Sequence, residues 1–189
     1  GIDDGCKNVA ESVACAKLMV QAGYTHSFCT PHVWPHLSRN TVAHIPRYTE
    51  ELQSALDMAG VKLRLIPAGE LNLREDMHAT PDDGLVSYGM RRRFVLIDLW
   101  CDTLPRFFQK GMEWLQSKGV KVILAHPERM AAVQKEPELA DYPKEKDFPN
   151  FRNNFGPRGV MDCKASDKDD PTIDPRWLLY LPPTMSPVA

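Results

Sequence analysis

Four short stretches of this chain each deliver one residue that can hold a proton or a metal. They are Thr30-Pro31-His32, Gly69-Glu70, Asp98 inside VLIDLW, and His126 inside LAHPER. Each residue closes or directly follows a run of strand-forming side chains. In parallel α/β architectures the carboxyl ends of the strands carry the active site. An ionised Asp among Leu96, Ile97, Leu99 and Trp100 costs on the order of several kcal/mol without a partner, and a cation is one natural partner. Asp3 and Asp4 add two more carboxylates at the amino end. Two histidines with several carboxylates make a mixed nitrogen and oxygen donor set, which suits manganese, iron or zinc better than calcium. With two or more metals such a set fits phosphate-ester hydrolysis. Arg129, three residues after His126, adds a bidentate grip for phosphate.

Each residue also has a plainer explanation. A single His after a strand is more often a hydrogen-bonded structural residue. Glu70 could cap a helix or face solvent, and Asp98 could pair with an Arg of the Arg91-Arg92-Arg93 run, itself read as a solvated turn. His26, His36, His44 and His78 lack the strand-end placement and read as non-ligands, although His36 lies near enough to His32 to join a site. The joint pattern outweighs the single readings, because four strand ends in succession carry ligand-type residues.

The elements that must position these residues alternate between two periods. Residues 8 to 22 place Val9, Val13, Ala16, Leu18 and Val20 mostly at helical spacing, with Gly23 as a stop. Tyr24 to Thr30 reads as a strand ended by Pro31, and a second helix is expected from about 41 to 59 before Gly60. Val61 to Ile66 alternates as a strand, and Phe94 to Leu99 is the third. Pro105 to Lys118 reads as a helix with Pro in its first turn and Gly119 after its last. Val120 to Ala125 is the fourth strand, with a helix after Pro127. Helix and strand in alternation with short connections argue for an α/β fold of parallel βα units. An open doubly wound sheet and a closed barrel both fit this pattern.

The chain has 189 residues and a formal net charge of -2, about the size of one domain, and the charge gives no reason to expect nucleic acid or an anionic membrane surface as partner. No stretch approaches the roughly 18 consecutive apolar residues of a membrane span. The sequence opens on Gly1-Ile2-Asp3-Asp4-Gly5 with no basic-then-apolar leader, and the five cysteines form no CxxC, which together point to a reduced, cytoplasmic setting. No cysteine has the Arg and Ser/Thr spacing of a thiol-based phosphatase. Residues 142–189 hold 8 of the 16 prolines and no amphipathic period, so they read as an irregular, poorly ordered tail after a domain of residues 1–141.

GIDDG, TPH, GELNL, VLIDLW and LAHPER, in this order and at these separations, resemble the PHP (polymerase and histidinol phosphatase) family. The similarity is greatest to its bacterial capsule and exopolysaccharide-type protein-tyrosine phosphatases, and it covers about residues 1 to 141. The resemblance implies a distorted (β/α)7 barrel with two or three divalent metals, commonly Mn2+. It implies hydrolysis of phosphotyrosine by a metal-activated hydroxide, with a phosphotyrosine protein as substrate and a bacterial tyrosine kinase of polysaccharide export as partner. Carried over by motif, Asp4, His32, Glu70, Asp98 and His126 look like metal ligands, and Arg129 with His126 looks like the catalytic pair. The family usually has Glu where this chain has Asp98.

Two expected motifs are not found. The family opens with Asp-x-His-x-His before its Gly-Ile-Asp-Asp-Gly, and closes its barrel with a strand carrying Asp-x-His. Neither occurs here, so the reading is an incomplete barrel with open edges. Two alternatives accompany it: a fragment of low or no activity, and a small-molecule phosphoesterase of the histidinol-phosphate type.

Overall fold

The computed structural model describes residues 1–80, 84–99, 102–126 and 129–136, with the backbone of 151–153. Helix α1 (Val9–Gln21) begins at Asn8, whose side chain accepts the Glu11 N–H at 2.9 Å, while the Glu11 carboxylate accepts the Lys7 N–H at 2.9 Å. This reciprocal arrangement satisfies amide donors at the helix start. The chain turns at Gly23, at φ 95°, and enters β1 (His26–Cys29) and then β2 (His32–Val33). Helix α2 (His44–Met58) follows, then β3 (Arg64–Pro67) and β4 (Glu70–Asn72). Strand β5 (Phe94–Asp98), helix α3 (Phe108–Ser117), strand β6 (Lys121–Leu124), helix α4 (Ala131–Lys135) and strand β7 (Phe151–Asn153) complete the order. Each helix and strand expected before residue 141 is present, most of them shortened by one to three residues. Helix α3 starts at Phe108 rather than Pro105, and its opening turn has Phe108 N–H bonded to the Pro105 carbonyl at 2.9 Å.

All strand pairs are parallel, as β1–β3 and as the ladder β2–β4–β5–β6–β7. The two ladders are one sheet with a flaw. His26 pairs Arg64 and His32 pairs Glu70, the same offset, and the bonds Ala68 N–H to Cys29 O and Glu70 N–H to Pro31 O bridge the break. Pro31 has no N–H to give the ladder, which accounts for the interruption on that side. Sequential strand order has a topological consequence. With right-handed crossovers, every helix falls on the same face of such a sheet, as in a barrel and unlike a doubly wound fold.

The packing agrees. Leu71, Val95, Ile97, Val122 and Leu124 form one core cluster with Ile45 of α2 and Phe108, Met112 and Leu115 of α3. Ala16 of α1 and Leu56 of α2 pack with Leu63 and Leu65 in a second cluster. Phe94, Leu96, Ile123 and Ala125 line the opposite face with Tyr88, whose ring meets Phe28 edge-on at 4.7 Å. By strand alternation His32, Glu70, Asn72 and Asp98 share this second face, toward the carboxyl ends of the strands. An apolar floor with ligand-type residues above it is the layering expected inside a parallel barrel. Among the described residues the sheet does not close.

One side chain finishes the sheet where a strand cannot. Arg64 and Ala68 donate toward β1, so Leu63 and Leu65 face the other edge, beyond the reach of β5. Gln53 of α2 fills that edge: its Nε2 donates to Leu63 O at 3.1 Å and its Oε1 accepts the Leu65 N–H at 2.8 Å. Strand β7 lies within the stretch that the sequence reads as irregular, pairing Phe151 with Val122 and Asn153 with Leu124. The rest of residues 142–189 lies outside the described residues.

Candidate metal centre

Each expected ligand reaches the site through a different connection. His32 opens β2 directly after Pro31. Its main chain is held from both sides: its N–H donates to Asp3 Oδ2 at 2.6 Å, and its carbonyl accepts Asn40 Nδ2 at 2.9 Å. Its Nδ1 lies 2.8 Å from Asp3 Oδ2 and 3.5 Å from Asp4 Oδ1. Motif matching favours Asp4, but Asp3 is the carboxylate in closer contact, with 15% of its side chain exposed against 81% for Asp4. Burial pushes the Asp3 carboxyl up, yet the His32 and Asp4 amides and the charge on His32 outweigh this and hold it below its usual 3.8.

Glu70 follows Gly69, and the spacing between them has a steric reason. A Cβ on Gly69 would sit 2.6 Å from Val86 Cγ1 and 2.8 Å from Val33 Cγ2. Only glycine lets the strand press against Val33 and Val86 at that point, and the next residue is thereby aimed across the opposite face. Asp98, the last residue of β5, is 1% exposed. The Arg91-Arg92-Arg93 run lies at the other end of this strand, about 16 Å away at ~3.3 Å per residue, so it cannot supply the partner of Asp98.

His126 follows β6, with φ at 28°, a conformation non-glycine residues rarely take. The bend brings Nε2 to 3.0 Å from Glu70 Oε1 and 3.9 Å from Asp98 Oδ1. The hydrogen bond with Glu70 raises the His126 pKa above 6.5; burial opposes it, the charges of Glu70 and Asp98 add to it, and Arg129 opposes it. Arg129 starts the turn after His126, donating its N–H to the His126 carbonyl at 2.9 Å. Asp98, Asp102, His126 and Arg129 line a cleft of about 380 Å³.

His32, Glu70 and Asp98 each offer a ligand atom within 4.8 Å of the others, and Asp3, Asp4 and His32 do the same. His32 belongs to both groups, and His126 touches the first through Glu70. Buried carboxylates and imidazoles gathered this closely are the donors that manganese, iron and zinc use. The residues fit a divalent metal. The remaining histidines do not join them: His44 and His78 bond local carbonyls of Arg39 and Glu75, and His36 stacks edge-on against Trp34 at 5.5 Å. Asn40, which fixes the His32 carbonyl, escapes sequence reading because a loop Asn carries no periodic signal.

A family model described as capsular polysaccharide synthesis, CpsB/CapC, matches residues 1–145. The chain belongs to the CpsB/CapC family. Tyrosine-protein phosphatase YwqE of Bacillus subtilis (strain 168) is 25% identical over 145 residues, covering 77% of this chain and 57% of that protein. CapC of Staphylococcus aureus is 23% identical over 132 residues, covering 70% and 52%. The fold is similar to a solved structure from work on YwqE and on CpsB of Streptococcus pneumoniae, described as unique metal-dependent tyrosine phosphatases. The TM-score is 0.67 at 25% identity, covering 74% of this chain and 57% of that one. This CpsB/CapC chain therefore spans a little over half the length of the relatives it matches.

Proposed function

We propose that this CpsB/CapC chain carries the metal centre of a phosphatase that hydrolyses phosphotyrosine in proteins. The observation that supports it most is the buried set of His32, Glu70 and Asp98, with ligand atoms mutually within 4.8 Å at the carboxyl ends of three adjacent strands. His126 and either or both of Asp3 and Asp4 complete the proposed set. Two or three Mn2+ ions are the proposed occupants, in a cytoplasmic setting. A bacterial tyrosine kinase of polysaccharide export is the proposed partner. A divalent cation at this centre supplies Lewis acidity toward phosphoryl oxygen and a source of hydroxide at neutral pH.

The chain's own residues divide the remaining work. Arg129 opens into the same cleft as Asp98 and His126, so its guanidinium can hold two phosphoryl oxygens as they gain charge. His126 keeps its ring proton through Glu70, and a cation must displace that proton to bind there. Asp3 and Asn40 hold the His32 main chain from both sides, so the imidazole is fixed before any ligand arrives. The tyrosyl oxygen, with a phenol pKa of about 10, leaves with less need of protonation than an alkyl alcohol.

The test is hydrolysis of a phosphotyrosine peptide by the purified chain with Mn2+, beside His126→Ala and a chelator control. Turnover that needs metal and falls by about a hundredfold or more in the variant is expected. No metal-dependent turnover, with metal content well below one ion per chain, would sink the proposal for this chain. Equal turnover of histidinol phosphate would favour a small-molecule phosphoesterase.

A further inference from the structure

A second cleft, of about 560 Å³, opens beside the metal centre. Trp34, Pro35, His36, Leu73, Pro105 and Phe107 line it, together with Asn72 and Leu99. It is continuous with the centre in three ways. The Trp34 ring meets the His32 ring edge-on at 4.9 Å. Asn72 is the ladder partner of Asp98. Leu99, the residue after Asp98, lines both this cleft and the one holding His126 and Arg129. The two clefts differ in chemistry. The first joins Asp98, Asp102, His126 and Arg129 with the apolar Leu99, Met130 and Ala131, while the second is walled by two aromatic rings, two prolines and two leucines, with His36 and Asn72 as its polar side chains. The indole nitrogen of Trp34 is buried with no hydrogen-bond partner among the described residues, so this side chain offers its ring and not its N–H.

We propose that the Trp34–Phe107 cleft is the site that receives the aromatic ring of a phosphotyrosine whose phosphate sits at Arg129 and His126. This rests on the phosphatase reading and adds to it the residues that choose an aryl over an alkyl phosphate. The physical argument is one of matched surfaces. A planar apolar ring bound to a charged headgroup needs an apolar aromatic slot beside a polar one, separated by no more than a side chain, and Leu99 is that side chain. Aromatic walls bind a ring by burying its faces and by edge-to-face contacts. A phosphoserine has no group to fill the slot, so the cleft would gain it nothing. Trp34 also touches His32, so it serves specificity while keeping the ligand's ring in place.

Calorimetric binding of two non-hydrolysable probes to the Mn2+-supplied protein tests this without any turnover. Benzylphosphonate carries the headgroup and a ring, and ethylphosphonate carries the headgroup alone. The wild-type chain is expected to bind benzylphosphonate about tenfold or more tightly than ethylphosphonate. In Phe107→Ala and in Trp34→Leu that gap is expected to shrink to about twofold or less, with ethylphosphonate affinity held in Phe107→Ala. Phe107→Ala keeps the test decisive if Trp34→Leu fails to fold, which a thermal melt reports. Equal binding of both probes by the wild type, or an undiminished gap in Phe107→Ala, overturns the aryl slot and leaves the phosphatase reading standing. Binding of neither probe, with Mn2+ bound, overturns both.

Discussion

At the scale of single residues, the site depends on charges that would be costly apart. Glu70 and Asp98 are buried carboxylates, His126 touches the first at 3.0 Å and the second at 3.9 Å, and His32 leans on Asp3. Arg129 differs from these in being exposed and is not among the proposed ligands. Replacing it with Met is therefore expected to lower kcat/KM on a phosphotyrosine peptide by about a hundredfold while metal content stays unchanged. Metal analysis and steady-state kinetics on the same preparation check this, and loss of metal would show that Arg129 helps hold the centre together. Away from the centre, burial pushes the Cys29 thiol up to about 11, against a smaller opposing bond with Thr49. A thiol whose folded pKa is raised contributes no loss of stability below its unfolded value of 9.0, and stability then falls as pH rises from 9.0 through about 11. Urea denaturation at pH 8 and pH 11 is expected to show a drop about 2 kcal/mol smaller in Cys29→Ala than in the wild type. Equal drops in both would mean that this thiol is not what burial makes it.

At the scale of elements, each strand end that carries a proposed ligand is made by a local device. Pro31 interrupts the first strand just before His32, Gly69 admits Val33 and Val86 just before Glu70, and a positive φ turns His126 back over the sheet. Gly69→Ala places a methyl 2.6 Å from Val86 and 2.8 Å from Val33, closer than van der Waals contact allows, so one of them must shift. A loss of about 1–3 kcal/mol in unfolding free energy is expected, with metal affinity weakened because Glu70 must move. Denaturation and metal titration of that variant measure the two effects separately.

These devices set what could be read in advance. The short apolar runs that end at His32, Glu70, Asp98 and His126 were legible, because a buried strand needs unbroken apolar residues and an acid or imidazole at its end stands out. Asn40 and Gln53 were not legible, since each acts on main chain far from it in sequence. The nearer approach of Asp3 than Asp4 to His32 depends on how the amino-terminal segment crosses the first strand, which the GIDDG motif does not determine. Strand β7 has three residues, too few for any period to show.

At the scale of the whole molecule, sequential parallel strands put every helix on one face and leave the other for a polar layer above an apolar floor. The choice between barrel-type and doubly wound topology therefore came from pairing order, which alternation of helix and strand does not encode. This polar layer is proposed to bind a divalent metal through His32, Glu70, Asp98 and His126. Isothermal titration of the chelator-stripped chain with Mn2+ tests it most directly, beside Asp98→Asn and His126→Ala. Saturable binding of at least one ion per chain is expected, weakened about tenfold or more in each variant. Absence of binding to the wild type, or affinities that the two substitutions leave unchanged, would contradict it.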